Sequence, residues 1–315
     1  MPKLAAVTGA TGFIGRHVVT SLQRQGWEVR VLARRHPVEL LSPFHRFELV
    51  LGDLGDTTAL ERLVTGADAV IHLGGLVKAL QRQDFYAANE GGTERLLRAS
   101  AVAAPSAMLV HVSSLAAREP RLSPYCDSKH RAELMVQALA GDRIWTILRP
   151  PAVYGPGDRE IRPLFQAARL GLVPYPAAPG AVLSMIHVAD LAEAIAACLT
   201  RSGPSQAMFE IDDGVPGGYR WPDILSALGE AVGRKAAGLR VPRAGLSLVA
   251  RANRLASKID HRPRILQPHK VAEIYWPDWV TRGDRLQEVS DWQPAFDIWR
   301  GFRHAAKWYA QARMV

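Results

Sequence analysis

Val7-Thr8-Gly9-Ala10-Thr11-Gly12-Phe13-Ile14-Gly15 is the stretch that decides the fold. It ends a short apolar run that begins at Leu4, and it opens a helical pattern that continues to Gln25. Glycines at such a turn let the backbone approach a pyrophosphate closely, and the start of the helix offers unpaired N–H groups to the phosphates. A tight strand-to-helix turn can also use these glycines for packing alone, so the order of elements around them must decide. We expect a dinucleotide to contact Gly9, Thr11, Gly12, Phe13, Ile14 and Gly15.

The first half of the chain alternates short apolar runs with helical patterns. This alternation is typical of a parallel sheet whose strands are joined by crossover helices. We therefore predict an α/β fold with a Rossmann-type doubly wound parallel sheet. The candidate strands are Leu4 to Thr8, Glu28 to Ala33, Phe47 to Leu51, Ala69 to Leu73, Met108 to Ser113 and Trp145 to Arg149, and the candidate helices are Gly15 to Gln25, Thr57 to Thr65, Gly92 to Ala103 and Pro124 to Leu139.

The pattern changes after Pro150, where Pro and Gly become dense through Gly180. A helical run from Val188 to Thr200 then precedes a short strand at Met208 to Ile211, and residues 221–315 are predicted to form two or three helices. We predict a dinucleotide-binding domain over residues 1–155, to which residues 186–200 return. Residues 156–315 are predicted to form a smaller, mostly helical substrate-binding lobe.

The end of the second strand bears on the choice of cofactor. NAD sites place an acidic residue about 20 positions after the glycine turn, whereas this chain has Arg34 and Arg35 there, and Arg16 is a third candidate cation. Guanidinium groups suit a 2′-phosphate, which favours NADP over NAD. The alternative is a solvated loop end that leaves the cofactor undecided. Further cofactor contacts are expected from residues after the third and fourth strands: Asp53, Leu54, Leu73, Gly74 and Gly75.

Tyr125 and Lys129 lie four residues apart in a predicted helix that Ser123 can cap and Pro124 can begin. A phenol has a pKa of about 10 in water, so it needs a nearby cation if it is to carry protons at neutral pH. Lys129 can supply that charge and can also hold the nicotinamide ribose. The fifth strand ends in Ser113 and Ser114, at the edge of the sheet where such folds bind ligands. A hydroxyl group there can polarise a substrate carbonyl.

These motifs together resemble the extended short-chain dehydrogenase/reductases, a family that includes nucleotide-sugar epimerases and dehydratases, 3β-hydroxysteroid dehydrogenases and dihydroflavonol reductases. The resemblance spans nearly the whole chain and extends to Leu148–Gly157, Ile186–Leu191 and Asp291–Pro294. It implies that Ser114 is the catalytic hydroxyl, Tyr125 the acid/base and Lys129 its partner. It also implies a homodimer formed through two helices of the first domain, one of them carrying Tyr125. The residues that it places beside the nicotinamide or the substrate are Ser113, Pro150, Val153, Tyr154 and His187.

The chain departs from the sugar-nucleotide members after Ser114, which Leu-Ala-Ala-Arg follows, with Tyr125 only eleven residues later. This shorter segment favours hydride transfer at a secondary alcohol or ketone on a more apolar small molecule. Two alternatives stay open. One is a nucleotide-sugar epimerase or dehydratase, whose diphosphate would need cations such as Arg162, Arg169 and Arg282. The other is a non-catalytic dinucleotide-binding subunit of a larger assembly.

Composition bears on whether the protein is disulfide-rich, metal-binding, secreted or membrane-spanning. The 315 residues include two cysteines, Cys126 and Cys198, and no Cys/His cluster at metal-ligand spacing, so we expect neither a disulfide framework nor a metal site. We find no signal peptide and no apolar run of the roughly 20 residues that a spanning helix needs, and we expect a cytoplasmic protein.

The net charge of +9 is the remaining compositional signal. The arginines are spread over many segments without a recognised motif, so nucleic acid is not an expected partner. Residues 242–264 combine leucines with arginines and can dock on an anionic membrane or receive a lipid-like substrate. We favour the alternative of a solvated basic face.

Overall fold

The computed structural model describes residues 2–36, 46–176, 178–200 and 204–314. They form two compact units. The first unit comprises Met1–Arg149, Ala192–Glu210 and Gly283–Gln293, and the second comprises Pro150–Leu191, Ile211–Arg282 and Pro294–Val315. The chain thus leaves the first unit at Arg149, and the division into domains near residue 155 stays a prediction.

The first unit is built on a seven-stranded sheet in which all neighbouring strands are parallel. Its strands are β1 (Leu4–Thr8), β2 (Glu28–Ala33), β3 (Glu48–Leu51), β4 (Ala69–His72), β5 (Met108–Val112), β6 (Trp145–Arg149) and β11 (Ala207–Glu210). Their order is β11-β6-β5-β4-β1-β2-β3. Strand order reverses beside β1, and in open α/β sheets this is the point where ligands bind.

Helices follow most of these strands. They are α1 (Phe13–Arg24), α2 (Thr57–Val64), α3 (Arg82–Phe85), α4 (Gly91–Ala103) and α5 (Pro124–Leu139), while α7 (Val188–Ala197) runs from the second unit into the first. Side chains begin two of them: Asp56 accepts a hydrogen bond from Ala59 N–H before α2, and Ser123 accepts one from Cys126 N–H before α5. A short π-helical turn joins α3 to α4.

The packing of the first unit explains why apolar and polar residues do not alternate along its central strands. Every residue of β4 and β5 is buried, as expected of parallel strands covered by helices on both faces. Leucine, valine and alanine side chains from α2, α4 and α5 pack on this sheet, among them Leu60, Leu63, Leu96, Leu97 and Val136.

The second unit contains short strands and most of the remaining helices. Its strands are β7 (Ala152–Tyr154), β8 (Leu172–Pro176), β9 (Val182–Leu183), β10 (Met185–His187), β12 (Tyr219–Arg220), β13 (Ala237–Val241) and β14 (Asp278–Trp279), and its helices are α6 (Arg162–Leu170), α8 (Trp221–Val232), α9 (Arg243–Asp260), α10 (Lys270–Ile274) and α11 (Ile298–Gln311). The unit packs around buried aromatic rings of Tyr154, Phe165, Phe302 and Tyr309. At Gly301, an added Cβ would lie 2.1 Å from the Tyr154 hydroxyl, so α11 needs glycine there.

The predicted fold class is confirmed. Four α-helices, however, occupy residues 221–311 where the pattern predicted two or three. The strand predicted at Met208 to Ile211 is β11, and it joins the first sheet by pairing with β6.

Candidate functional site

The glycine turn after β1 is shaped largely by packing within the chain. A Cβ at Gly9, where φ is +74°, would lie 2.7 Å from the Leu73 carbonyl carbon, and one at Gly15 would lie 2.2 Å from the Gly9 oxygen. Gly12 is the residue before α1, and neither a side-chain cap nor an acidic residue occupies this end of the helix. The turn therefore brings β1, β4 and α1 together and leaves the positive end of the α1 dipole available to an anion.

A cleft of about 640 Å³ lies at this turn within the first unit. Nine of the predicted cofactor residues line it. The other predicted ones are not part of its lining: Phe13, Ile14, Gly15, Arg35, Tyr125, Lys129, Pro150 and Val153. Residues that the sequence did not indicate, including Asp84, Ala87, Ala88 and Arg95, complete its wall. The predicted residues in the lining are Gly9, Thr11, Gly12, Arg34, Asp53, Leu54, Leu73, Gly74 and Gly75.

Of the three predicted cations, Arg34 lines this cleft. Arg34 and Arg35 are both exposed directly after β2, and Arg34 contributes to the cleft wall. Arg16 lies in the first turns of α1, and its Nε is buried without a hydrogen-bond partner among the described residues. A buried donor without an acceptor is costly, so this group suits an anionic ligand.

Asp53 presents a carboxylate in the wall of the cleft. One of its oxygens, Oδ1, accepts a hydrogen bond from Gly55 N–H at 2.7 Å. This bond orients the side chain after β3, and its second oxygen has no partner among the described residues. An adenine amino group is the kind of donor that such an oxygen accepts.

Lys129 is buried in α5, and its Nζ donates a hydrogen bond to the Val112 carbonyl at 2.9 Å. Burial lowers the pKa of Lys129 to about 8, against the opposing effect of the Glu133 carboxylate. The bond to Val112 ties α5 to the end of β5, where the two predicted serines follow. Lys129 is thus held under the carboxyl edge of the sheet.

The other predicted catalytic residues, Ser114 and Tyr125, also belong to the first unit. Tyr125 is half-buried in the first turn of α5, and its ring meets the Phe85 ring edge-on at 6.2 Å between centroids. Ser114 is half-buried immediately after β5, and its Oγ accepts a hydrogen bond from Ala116 N–H at 3.2 Å. Ser113 is buried and donates to Glu133 Oε1 at 2.5 Å. The two adjacent serines therefore differ: Ser113 is hydrogen-bonded to a buried carboxylate, whereas Ser114 is only half-buried.

A largely buried ionic cluster, which the sequence motifs did not indicate, connects α5 with β6 and β11. Arg149, at the end of β6, donates to both carboxylate oxygens of Glu133, at 2.9 and 2.6 Å. Arg149 also lies 3.6 Å from Glu210 of β11, and Arg118 lies 3.3 Å from the same carboxylate. Glu133 follows Lys129 by one helical turn and Tyr125 by two, and this spacing was the available signal. We call Glu133, Arg149, Glu210 and Arg118 the ionic cluster.

A second network connects the cofactor cleft with α5. His72 at the end of β4 bonds Thr8 through Nδ1 at 2.7 Å and Thr93 through Nε2 at 2.9 Å. Burial, with a smaller effect of the Lys129 charge, lowers the pKa of His72 to about 3, so the ring is neutral. Asn89 then joins the loop to the helix, since its Nδ2 donates to Leu76 O and to Ser128 Oγ.

His111 contrasts with His72, its partner in the parallel register of β4 and β5. Both ring nitrogens of His111 are buried without a hydrogen-bond partner among the described residues. Burial, followed by the charges of Lys129 and His72, lowers the pKa of His111 well below its ordinary value. His111 is therefore a second neutral ring beside the lysine.

Comparison with known proteins decides the family. The NAD dependent epimerase/dehydratase family matches residues 5–211. The chain belongs to that family. Ceramide reductase of Caulobacter vibrioides is 38% identical over 314 residues, covering 98% of this chain and 95% of the relative. A 2-alkyl-3-oxoalkanoate reductase of Stenotrophomonas maltophilia is 32% identical over 185 residues, covering 52% of this chain and 56% of the relative.

Solved structures agree on the fold. UDP-glucose 4-epimerase of Bifidobacterium longum, in complex with NAD+ and UDP, superposes with a TM-score of 0.75 at 19% identity, covering 99% of each chain. The family match and the ceramide reductase relative confirm the predicted resemblance to the extended short-chain dehydrogenase/reductases. They also confirm the prediction of an enzyme of an NAD-dependent family.

The family's remaining predicted site residues lie in the second unit. Pro150 begins this unit, and Val153 lies in β7 opposite Ile186 of β10. Tyr154 is fully buried and its hydroxyl donates to Asp297 O at 3.0 Å. His187 is also fully buried and stacks on Phe296 with centroids 4.1 Å apart. Tyr154 and His187 thus have structural contacts in this core, and their roles toward substrate stay predictions.

The described residues contain no group of three or more His, Cys, Asp or Glu side chains placed to hold a metal ion. Within the same ranges, none of the helices combines the length and apolar character needed to cross a membrane. Cys126 and Cys198 are both buried and are not joined in a disulfide.

Proposed function

We propose that this chain is an NADPH-dependent reductase that converts a ketone on a ceramide-type lipid into a secondary alcohol. The observation that carries the proposal is the similarity to the ceramide reductase of Caulobacter vibrioides, which extends over 98% of this chain. A ceramide bears a secondary alcohol beside its amide-bearing carbon, and reduction of a ketone at that position yields such an alcohol. The short segment between Ser114 and Tyr125 also supports an apolar substrate.

Three side chains of the first unit perform the chemistry in this proposal. Ser114 donates a hydrogen bond to the substrate carbonyl oxygen, and Tyr125 transfers its hydroxyl proton to that oxygen as the alcohol forms. NADPH, when bound, supplies the hydride that goes to the carbonyl carbon. Lys129 stabilises the phenolate that remains on Tyr125 and orients the ribose, and its hydrogen bond to Val112 holds it in place.

NADP is the proposed cofactor because cations stand where an NAD site has an acid. Arg34 lines the cleft directly after β2, Arg35 follows it, and Arg16 has a buried Nε without a partner among the described residues. Guanidinium groups form paired hydrogen bonds with phosphate, which lysine or a neutral residue cannot match. The 2′-phosphate of NADP is the group that this end of the cleft would hold.

The competing proposal is a nucleotide-sugar epimerase or dehydratase. It is supported by the solved structure with UDP, which shares the fold, and by Arg162, whose Nε is buried without a partner among the described residues. Arg282, another candidate for a diphosphate, is instead 2.6 Å from Asp278. The ionic partner makes Arg282 a weaker candidate than the sequence indicated.

Calorimetric titration with NADPH, NADP, NADH and NAD tests the cofactor assignment. We expect the phosphorylated pair to bind more tightly, and Arg34→Asp to weaken NADPH binding at least about tenfold, because loss of one charged hydrogen bond costs about 1.5–3 kcal/mol. The matched control is Arg285→Asp, an exposed position of the first unit outside the cleft lining. Equal binding of NADH and NADPH by the unaltered protein would overturn the assignment and favour the epimerase proposal.

A further inference from the structure

Helix α9 exposes large apolar side chains that the reductase proposal does not use. Leu248 is 69% exposed, Leu255 is 64% exposed and Ile259 is 76% exposed. Together with the exposed Ala252, they are spaced four, three and four residues apart. This is the spacing of one face of a helix. We call Leu248, Ala252, Leu255 and Ile259 the apolar stripe.

The opposite face of α9 attaches the helix to its own unit. Ala250 and Ser257 are the buried residues of α9. Ser257 Oγ accepts hydrogen bonds from Arg264 at 3.1 Å and Gln267 at 3.2 Å. Asn253 Nδ2 donates to Leu266 O at 3.1 Å. Ser257 lies nine residues after Leu248, which at 3.6 residues per turn is about half a turn around the axis. The attached face therefore turns the apolar stripe outward.

Cations accompany the apolar stripe. Arg251, Arg254 and Lys258 are all exposed. Arg251 and Lys258 each lie three residues after a member of the stripe, and Arg254 directly precedes Leu255. The acidic residue of α9 is Asp260 at its end, and Arg264 pairs with it at 2.6 Å. The outer surface of α9 therefore presents apolar and positively charged side chains side by side.

This combination selects among the possible occupants. A solvated basic face has no need of three exposed large apolar side chains in one line. A second copy of the chain, packed about a twofold axis, would bring its own cations against these cations, and like charges oppose such contact. The surface of an anionic bilayer complements both features, since headgroup phosphates attract the cations and the acyl boundary accepts the leucines.

We propose that α9 is a peripheral membrane-docking helix that lies in the plane of an anionic lipid bilayer. The apolar stripe enters the acyl boundary, while Arg251, Arg254 and Lys258 remain among the headgroups. This inference rests on α9 and not on the activity of the first unit. A lipid substrate would give docking a purpose, yet the helix would bind vesicles whether or not the reductase proposal is correct.

Vesicle sedimentation with the full chain tests the inference. The probes are vesicles of phosphatidylcholine alone and vesicles that also contain phosphatidylglycerol. We expect the unaltered protein to sediment with the anionic vesicles and to dissociate as salt is added. Each cation near such a surface contributes roughly fivefold to binding, so loss of three should lower the partition coefficient by about 100-fold.

Two triple variants separate the charged from the apolar contribution, and each has a matched control. The charge variant is Arg251→Gln, Arg254→Gln and Lys258→Gln, and its control is Lys235→Gln, Arg285→Gln and Lys307→Gln, which removes the same charge from exposed sites elsewhere. The apolar variant is Leu248→Ser, Leu255→Ser and Ile259→Ser, and its control is Val102→Ser, Leu170→Ser and Val289→Ser, which are exposed elsewhere.

We expect both α9 variants to lose anionic vesicle binding, by at least about tenfold for the apolar one, while both controls keep it. An unchanged circular dichroism spectrum and an unchanged thermal unfolding transition would confirm that each variant is folded. Three results would overturn the inference: equal binding to both kinds of vesicle by protein and variants, no vesicle binding at all, or a dimer of the unaltered protein that the apolar variant converts to monomer. The last result would assign the apolar stripe to a second copy of the chain.

Discussion

Helices α5 and α9 are of similar length, but α5 buries charged side chains whereas α9 exposes apolar ones. In α5, Lys129 and Glu133 are buried and each has a specific partner in the first unit. In α9, Leu248, Leu255 and Ile259 face outward with no such cover. Charged groups inside and apolar groups outside both cost free energy in an ordinary helix. Each departure therefore indicates a helix whose surface serves chemistry or binding rather than packing alone.

The two departures differ in what holds them. In α5 the buried charges lie in the ionic cluster and in the hydrogen bond from Lys129 to Val112, so changing one member disturbs its neighbours. In α9 each exposed residue is independent of the fold, so its loss should be silent until a partner is supplied. Substitutions in the two helices should therefore have effects of very different size on activity and stability.

The largest effect is expected at Tyr125, because it is the proposed proton donor. Tyr125→Phe removes the hydroxyl group and leaves the ring beside Phe85, so reductase activity should fall by about 10³-fold. NADPH binding by calorimetry should change little, since the helix and Lys129 remain. Activity equal to that of the unaltered protein would remove Tyr125 from the mechanism.

The next effect is expected at Glu133, which holds two hydrogen bonds from Arg149. Glu133→Ala removes both of these hydrogen bonds and the acceptor of Ser113, although Arg149 keeps Glu210 at 3.6 Å. The free energy of unfolding should therefore fall by about 3–4 kcal/mol. The control is Glu94→Ala, whose exposed pair with Arg98 should be worth less than about 1 kcal/mol. Equal losses in urea denaturation of the two variants would show that the ionic cluster does not support α5.

A pH-dependent effect is expected from Lys129. Its pKa is lowered to about 8 in the folded chain from 10.5 in the absence of structure. Between these pH values the unfolded chain binds a proton that the folded chain does not. The free energy of unfolding therefore rises as pH rises through this window, and it falls as pH is lowered toward 8. Relative to Lys129→Met, the unaltered protein should gain about 2–3 kcal/mol in free energy of unfolding. A difference that stays flat, as expected for exposed Lys307→Met, would contradict the burial of a charged lysine.

The smallest effect is expected in α9. Leu255→Ser removes a side chain that is 64% exposed, so the free energy of unfolding should change by less than about 0.5 kcal/mol. Leu60→Ser in α2, at a fully buried position of the first core, is the contrasting variant and should cost at least about 3 kcal/mol. A large loss from Leu255→Ser would mean that α9 packs against another part of the chain and is not a free surface.

Local patterns were enough to predict most of the strands and helices before Pro150. The bounds of β1, β2, β6 and α5 follow from short apolar runs and from a Ser-Pro start, both of which are encoded in neighbouring residues. The cleft also followed from the glycine turn, although Gly9 and Gly15 contribute by packing against Leu73 and Ala10 as well as by leaving space. These features depend on residues that are close together in the sequence, so a sequence pattern can indicate them.

Other features required tertiary structure. Glu133 and Arg149 are 16 residues apart, and no local pattern indicates that Glu210 joins them. Tyr154 and His187 were assigned to a site from a family motif, while their burial depends on α11 far along the chain. In α9 the sequence showed leucines among arginines, but which face was covered depended on residues 264–267. That orientation separates a solvated face from a binding surface.

The most direct test of the central claim follows deuterium from NADPH labelled at its transferable position into a ceramide-type ketone. The account predicts one labelled secondary alcohol per NADP formed, with deuterium on the carbinol carbon, and no labelled product from Tyr125→Phe. Labelled NADPH left unconsumed with the lipid ketone, together with epimerisation of a UDP-sugar that takes up no label, would contradict it.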